Sequence, residues 1–113
     1  MTAKSKLLTM PPYAVEQALK RLGADLRTAR VRRNLTLADV AQKVGTSIRT
    51  IADAEKGKPS TSIAVYAAIL WTVDLLGQLE EVALPQRDEE GQQLALSRER
   101  SRARSKTGLS NDF

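Results

Sequence analysis

The chain has 113 residues, 42% hydrophobic and 4% aromatic, with a net charge of +5, which fits one small domain with a short appendage. It contains no cysteine and no histidine, so disulfide frameworks, thiolate or imidazole metal sites, Cys/His nucleophiles and Ser-His-Asp triads are excluded together. The charge is unevenly spread, +7 over residues 1–60, −5 over residues 61–96 and +3 over residues 97–113, which points to a polyanion-binding surface on one part and a different partner surface on another.

Residues 1–12, ending in Pro11-Pro12, read as a polar leader. With two lysines but no sustained apolar stretch, it does not resemble a secretory signal, so a cytoplasmic address is expected. From Val15 the apolar positions run Val15, Leu19, Leu22, Leu26, Ala29. That is one stripe of an amphipathic helix, predicted over 13–33, with Gly23 inside it marking a close helix contact. Arg30, Arg32 and Arg33 suit its last turn, and Asn34 ends it. Thr36 with Asp39 three residues on forms a capping box that opens a helix over 37–44, stopped by Gly45. Thr46 or Ser47 caps the next helix, which runs to Lys56 and ends at Gly57 and Pro59. Ser60, Thr61 and Ser62 lead into a helix over 63–71, and a fifth is predicted over 75–84, with Thr72 as cap and Pro85 as stop. No period-two strand pattern occurs, so the fold class is all-α.

Residues 13–84 thus form one domain and residues 85–113 an extension, helical or flexible, that lacks the apolar residues for a core of its own and is expected to be partly disordered. Asp88, Glu89 and Glu90 at its start suit a helix over about 88–98, followed by a mobile basic arm containing Arg98, Arg100, Arg102 and Arg104. The longest uncharged run, Pro59 to Val73, is fifteen residues, short of the roughly 20 needed to cross a bilayer, so no membrane association is expected.

The informative unit is LADVAQKVGTSIRTIADAEKG, residues 37–57. Two helices joined by so short a turn need a small residue where they cross, Ala41, and a residue able to take positive φ, Gly45. Val40, Val44 and Ile51 bury the inner faces. With Arg30, Thr36, Glu55 and Gly57 at matching positions, the stretch from Leu19 to Leu79 resembles the Xre and phage-repressor/Cro-like helix-turn-helix family. The resemblance implies a five-helix lambda-repressor-like domain whose third helix, Ser47 to Lys56, enters the major groove of DNA.

On that basis Ser47, Ile48, Arg49, Thr50 and Asp53 are the candidate base readers, Arg49 being able to grip guanine with two hydrogen bonds. Thr36, Lys43, Thr46, Lys56 and Lys58 are the candidate phosphate contacts. Arg30 and Glu55 are a candidate structural pair. The apolar set between Val65 and Leu84 exceeds what one small domain needs, so Ile69, Trp71, Leu75, Leu76 and Leu79 are expected to form a homodimer face, matching a palindromic operator on double-stranded DNA.

The leucine-rich stretch AAILWTVDLLGQLEEVALP, the following RDEEGQQLAL and the basic tail resemble HipB-type antitoxins. That resemblance implies an autorepressor partnered with a HipA-like serine/threonine kinase toxin. A stand-alone Xre-type regulator and a protein-interaction adapter without specific DNA binding are the alternatives. An enzyme is not expected: GKPS at 57–60 lacks the glycine and the preceding strand of a phosphate-binding loop, and adjacent acids such as Glu80-Glu81 have no partner base. No cofactor or metal is expected.

Overall fold

The computed structural model describes residues 5–111, with side chains described through residue 105. The first four residues of the leader and the last two of the extension lie outside the described residues. The chain divides into two compact units, Met1–Leu79 and Glu80–Phe113. The described residues contain helices and turns and no strand.

In the first unit a short helix α1 (Lys6–Thr9) precedes α2 (Tyr13–Arg32), α3 (Leu37–Val44), α4 (Ile48–Glu55), α5 (Ile63–Thr72) and α6 (Leu76–Glu80). The single turn of α1 lies within the stretch read from sequence as a polar leader; four residues ahead of Pro11-Pro12 leave no helical periodicity to detect. The boundaries of α3 and α4 follow their caps. Thr36 Oγ1 accepts from the Asp39 amide while Asp39 Oδ2 accepts from the Thr36 amide, at 3.0 and 2.8 Å, and Ser47 Oγ accepts from the Thr50 amide at 3.1 Å. Gly45 closes α3 in the left-handed region (φ 86), its amide and that of Thr46 both donating to the Ala41 carbonyl, which turns the chain directly into α4.

The core is built from α2 to α5: Leu26, Val40, Ala41, Ile51, Ala54, Tyr66, Ile69 and Leu70 are buried together, with Leu22, Val44, Leu75, Leu76 and Leu79 packed around them. The α2 stripe deepens along its length, from exposed Val15 through half-buried Leu19 and Leu22 to buried Leu26 and Ala29.

Two expectations need correction. Ile69, assigned from sequence to a dimer face, is 0% exposed in the core of its own unit, because α5 is apolar almost all round and its inward face lies along Tyr66, Ile69 and Leu70. The fifth helix of the sequence reading, expected over 75–84 and capped by Thr72, is Leu76–Glu80 instead. Thr72 lies inside α5, its hydroxyl donating to the Ala68 carbonyl at 3.0 Å, and Asp74 makes the turn in the left-handed region (φ 61). At the other end Pro85 holds Leu84 extended (φ −58, ψ 125) and Ala83 turns left-handed (φ 57), so the helix stops early.

In the second unit a 3₁₀ turn at Pro85–Arg87 leads into α7 (Glu89–Asn111). The Asp88 carboxylate accepts from the Gly91 amide at 3.0 Å, and the Gln92 side-chain amide donates to the Pro85 carbonyl at 2.9 Å, so the helix start is fixed by local bonds. It continues past Arg98, where the sequence reading placed its end. Gln, Leu, Ala and Arg are good helix formers, and no proline interrupts them.

Candidate nucleic-acid interface

The inner end of α4 is fastened to α2 by close backbone approach and by charge. A Cβ added to Gly23 would stand 2.5 Å from the Glu55 carbonyl oxygen and 2.7 Å from that of Ala54. One helical turn back along α2, a Cβ on Gly57 (φ 70) would collide with the Leu19 carbonyl. A glycine on each partner therefore lets the two backbones touch, and the small, fully buried Ala54 belongs to the same contact. Arg30 completes the joint. Its Nε and Nη2 donate to the Glu55 carboxylate at 2.6 and 3.0 Å, and its Nη1 donates to the Leu35 carbonyl at 2.8 Å.

With side chains only 10% and 7% exposed, Arg30 and Glu55 form a two-pronged pair shielded from water. The hydrogen bonds to Glu55 raise the Arg30 pKa further, more than burial lowers it, so the guanidinium stays charged. It ties together α2, α4 and the loop between α2 and α3.

The other end of α4 is bare. Ile48, 51% exposed, and exposed Arg49 stand on its first turn. Ser47 is exposed as well, but its hydroxyl is engaged with Thr50, the two oxygens 2.8 Å apart, so both hydroxyls first serve the cap. Asp53, one turn along from Arg49, is paired with Lys58 at 3.1 Å, and the Lys58 amide donates to the Asp53 carbonyl. That pair binds the helix end to the loop after it. The loop is also held from α5, where the Tyr66 hydroxyl donates to the Lys58 carbonyl at 3.2 Å; burial moves the Tyr66 pKa upward.

Among the candidate phosphate contacts, Lys43 and Lys56 are exposed and Thr46 is half-buried beside them in sequence at the α3–α4 turn and the α4 end. Thr36 is different: its hydroxyl and amide are both used in the capping box, and the Asp39 carboxylate occupies the amide end of α3. The Thr36 hydrogen bonds hold Asp39 below the usual carboxylate pKa, so a negative charge already sits where a phosphate was expected. The structure also joins two residues that sequence reasoning kept in separate roles. The Lys43 ammonium lies 5.1 Å from the centre of the Trp71 ring, a cation–π contact between α3 and α5. Nothing in the spacing of Lys43 and Trp71 signals this. The Tyr66 tether was detectable only as the one hydroxyl-bearing side chain within the apolar run Ile63–Trp71.

Of the expected dimer residues other than Ile69, Trp71 is 51% exposed, while Leu75, Leu76 and Leu79 are half-buried against the core. Among the described residues no cluster of His, Cys, Asp or Glu could hold a metal ion, and no helix is long and apolar enough to cross a membrane.

No curated protein and no solved structure matches the chain. The family described as "Helix-turn-helix domain" matches residues 21–83, more than half of the chain, taking in most of α2 and all of α3 to α6. With the α3–Gly45–α4 geometry inside that match, the chain belongs to the helix-turn-helix domain family.

Proposed function

We propose that this protein is a sequence-specific DNA-binding regulator, acting as a repressor, that inserts the first turn of α4 into the major groove. The observation that carries this reading is the contrast between the two ends of α4. The Glu55 end is anchored, and the Ile48–Arg49 end is exposed, so a reading surface is presented on a rigid support. Arg49 is the side chain suited to guanine, Ile48 to a thymine methyl, and Lys43, Thr46 and Lys56 flank them for phosphates. Asp53 and Lys58, paired with each other, hold the loop and contribute less to readout.

A single such domain reads few base pairs, so a two-fold pair on a palindromic site is the favoured assembly. With Ile69 buried, its contact centres on exposed Trp71 and the flanks of Leu75, Leu76 and Leu79. The antitoxin assignment, an autorepressor in the cytoplasm that also holds a HipA-like kinase, is supported only by the resemblance of the leucine-rich stretch, the RDEEGQQLAL segment and the basic tail.

The test is fluorescence anisotropy of the full chain on the duplex upstream of its own gene and on a shuffled duplex. Selective binding with two protomers per site is expected. Arg49→Ala should weaken that binding by about 1–3 kcal/mol and relax one base position. Equal affinity of the unmodified chain for both duplexes would overturn the reading in favour of an adapter. The antitoxin assignment expects a HipA-like kinase encoded beside this chain that co-purifies with it and is lost on truncation after Pro85; absence of such a partner overturns it.

A further inference from the structure

We propose that the Ser97–Ser105 stretch of α7 is a second duplex-DNA contact, seated along a groove with arginines reaching the phosphates on both sides. The proposal deepens the DNA-binding reading and rests on it. At about 100° per residue, Ser97, Ser101 and Ser105 fall within roughly 40° of one line along the helix. Relative to that line, Arg98 and Arg102 lie roughly 60–100° to one side, and Arg100 and Arg104 lie roughly 60–100° to the other. The one acid of the stretch, Glu99, falls on the opposite side of the helix, roughly 160° away. The result is a face with small polar residues at its centre and a row of two arginines on each flank. A helix with side chains is about 10–12 Å across and the major groove about 12 Å wide, so small side chains allow entry while the flanking guanidiniums meet both backbones.

Two further observations favour a polyanion over a protein partner. All four arginines are exposed, and among the described residues none is paired with an acid, whereas Lys20, Arg30, Lys58 and Arg87 each are. Among the described residues the helix also lacks an apolar seam: exposed Leu94 and Leu96 are two residues apart and so lie on nearly opposite faces.

The experiment titrates salt against affinity for the full chain, the Arg98→Gln/Arg100→Gln/Arg102→Gln/Arg104→Gln variant and the all-lysine counterpart, on the upstream duplex, a shuffled duplex and a single-stranded RNA of equal length. Gln and Lys are both good helix formers, so α7 is preserved, and circular dichroism verifies it. The expected result is a log K against log salt slope shallower by about 3–4 per bound protomer in the glutamine variant on both duplexes, with the slope restored by lysine. Unchanged slopes with retained duplex binding would overturn this proposal and leave the α4 reading intact. An arginine-dependent slope on both duplexes without selectivity would support α7 and overturn the α4 reading. Stronger, arginine-dependent binding to the RNA would overturn the duplex assignment, and absence of binding to all three would overturn both.

Discussion

The first unit and α7 are both helical, but different forces make them so. In the first unit α2 to α5 each bury a face, and its closest charges are matched, Arg30 with Glu55 and Lys58 with Asp53. In α7 every described residue except half-buried Gly91 is exposed, the arginines have no counter-charge among the described residues, and the helix start is held by Asp88 and Gln92. Burial and pairing stabilise a shape in the absence of a ligand. Unspent charge on a locally capped helix does little for the free protein and is available to a polyanion. The two regions should therefore answer mutation in different observables, folding for the first and ligand affinity for the second.

The largest expected effect is at Arg30. Arg30→Ala leaves the Glu55 carboxylate buried without its partner and should lower unfolding free energy by about 3–5 kcal/mol in urea titrations. A loss below about 1 kcal/mol would put the pair in the class of solvated surface bridges. Next, Gly23→Ala forces a methyl group against two carbonyls and should cost about 1–3 kcal/mol, read by the same titration.

For the other side of the comparison, Asp88→Ala removes a cap worth about 1 kcal/mol. It should speed amide exchange at the start of α7 while leaving the thermal transition of the first unit in place; a shift of that transition would show that α7 shares in the fold it follows. Lys43→Met should cost about 0.5–1 kcal/mol through loss of the Trp71 contact and should alter Trp71 fluorescence.

The smallest effect concerns pH. Asp39 has a folded pKa below its unfolded value, so its contribution is complete above about pH 4 and fades as pH falls through the folded pKa. Asp39→Asn should flatten the decline of melting temperature on acidification over that window, and an identical decline would remove the capping box as its source.

The helix-turn-helix unit was legible from sequence because its signals are local. Thr36, Asp39, Gly45 and Ser47 each dictate a cap or a turn from their own chemistry, and the structure places α3 and α4 within a residue of the spans those signals give. What was not legible depends on direction. IAVYAAILW has no polar face, so periodicity could not say that Ile69 points inward and Trp71 outward. The end of α6 depends on Leu84 being held by Pro85 while Ala83 adopts an unusual backbone, an outcome no propensity favours. The contact of Lys43 with Trp71 joins residues 28 positions apart in the sequence, where spacing carries no information.

The touching backbones at Gly23 and Gly57 also bear on how such a protein can diversify. The backbone joint and the ion pair that fasten α4 to α2 lie at or beyond Ala54, with Ile51 buried between, and the exposed residues proposed to meet bases lie at or before Arg49. The anchored end of α4 and its exposed end are separate parts. On the proposed function, new operators would be explored by exchanging Ile48 and Arg49, with the joint to α2 inherited unchanged, so that a lineage carrying it would multiply its targets without refolding its scaffold.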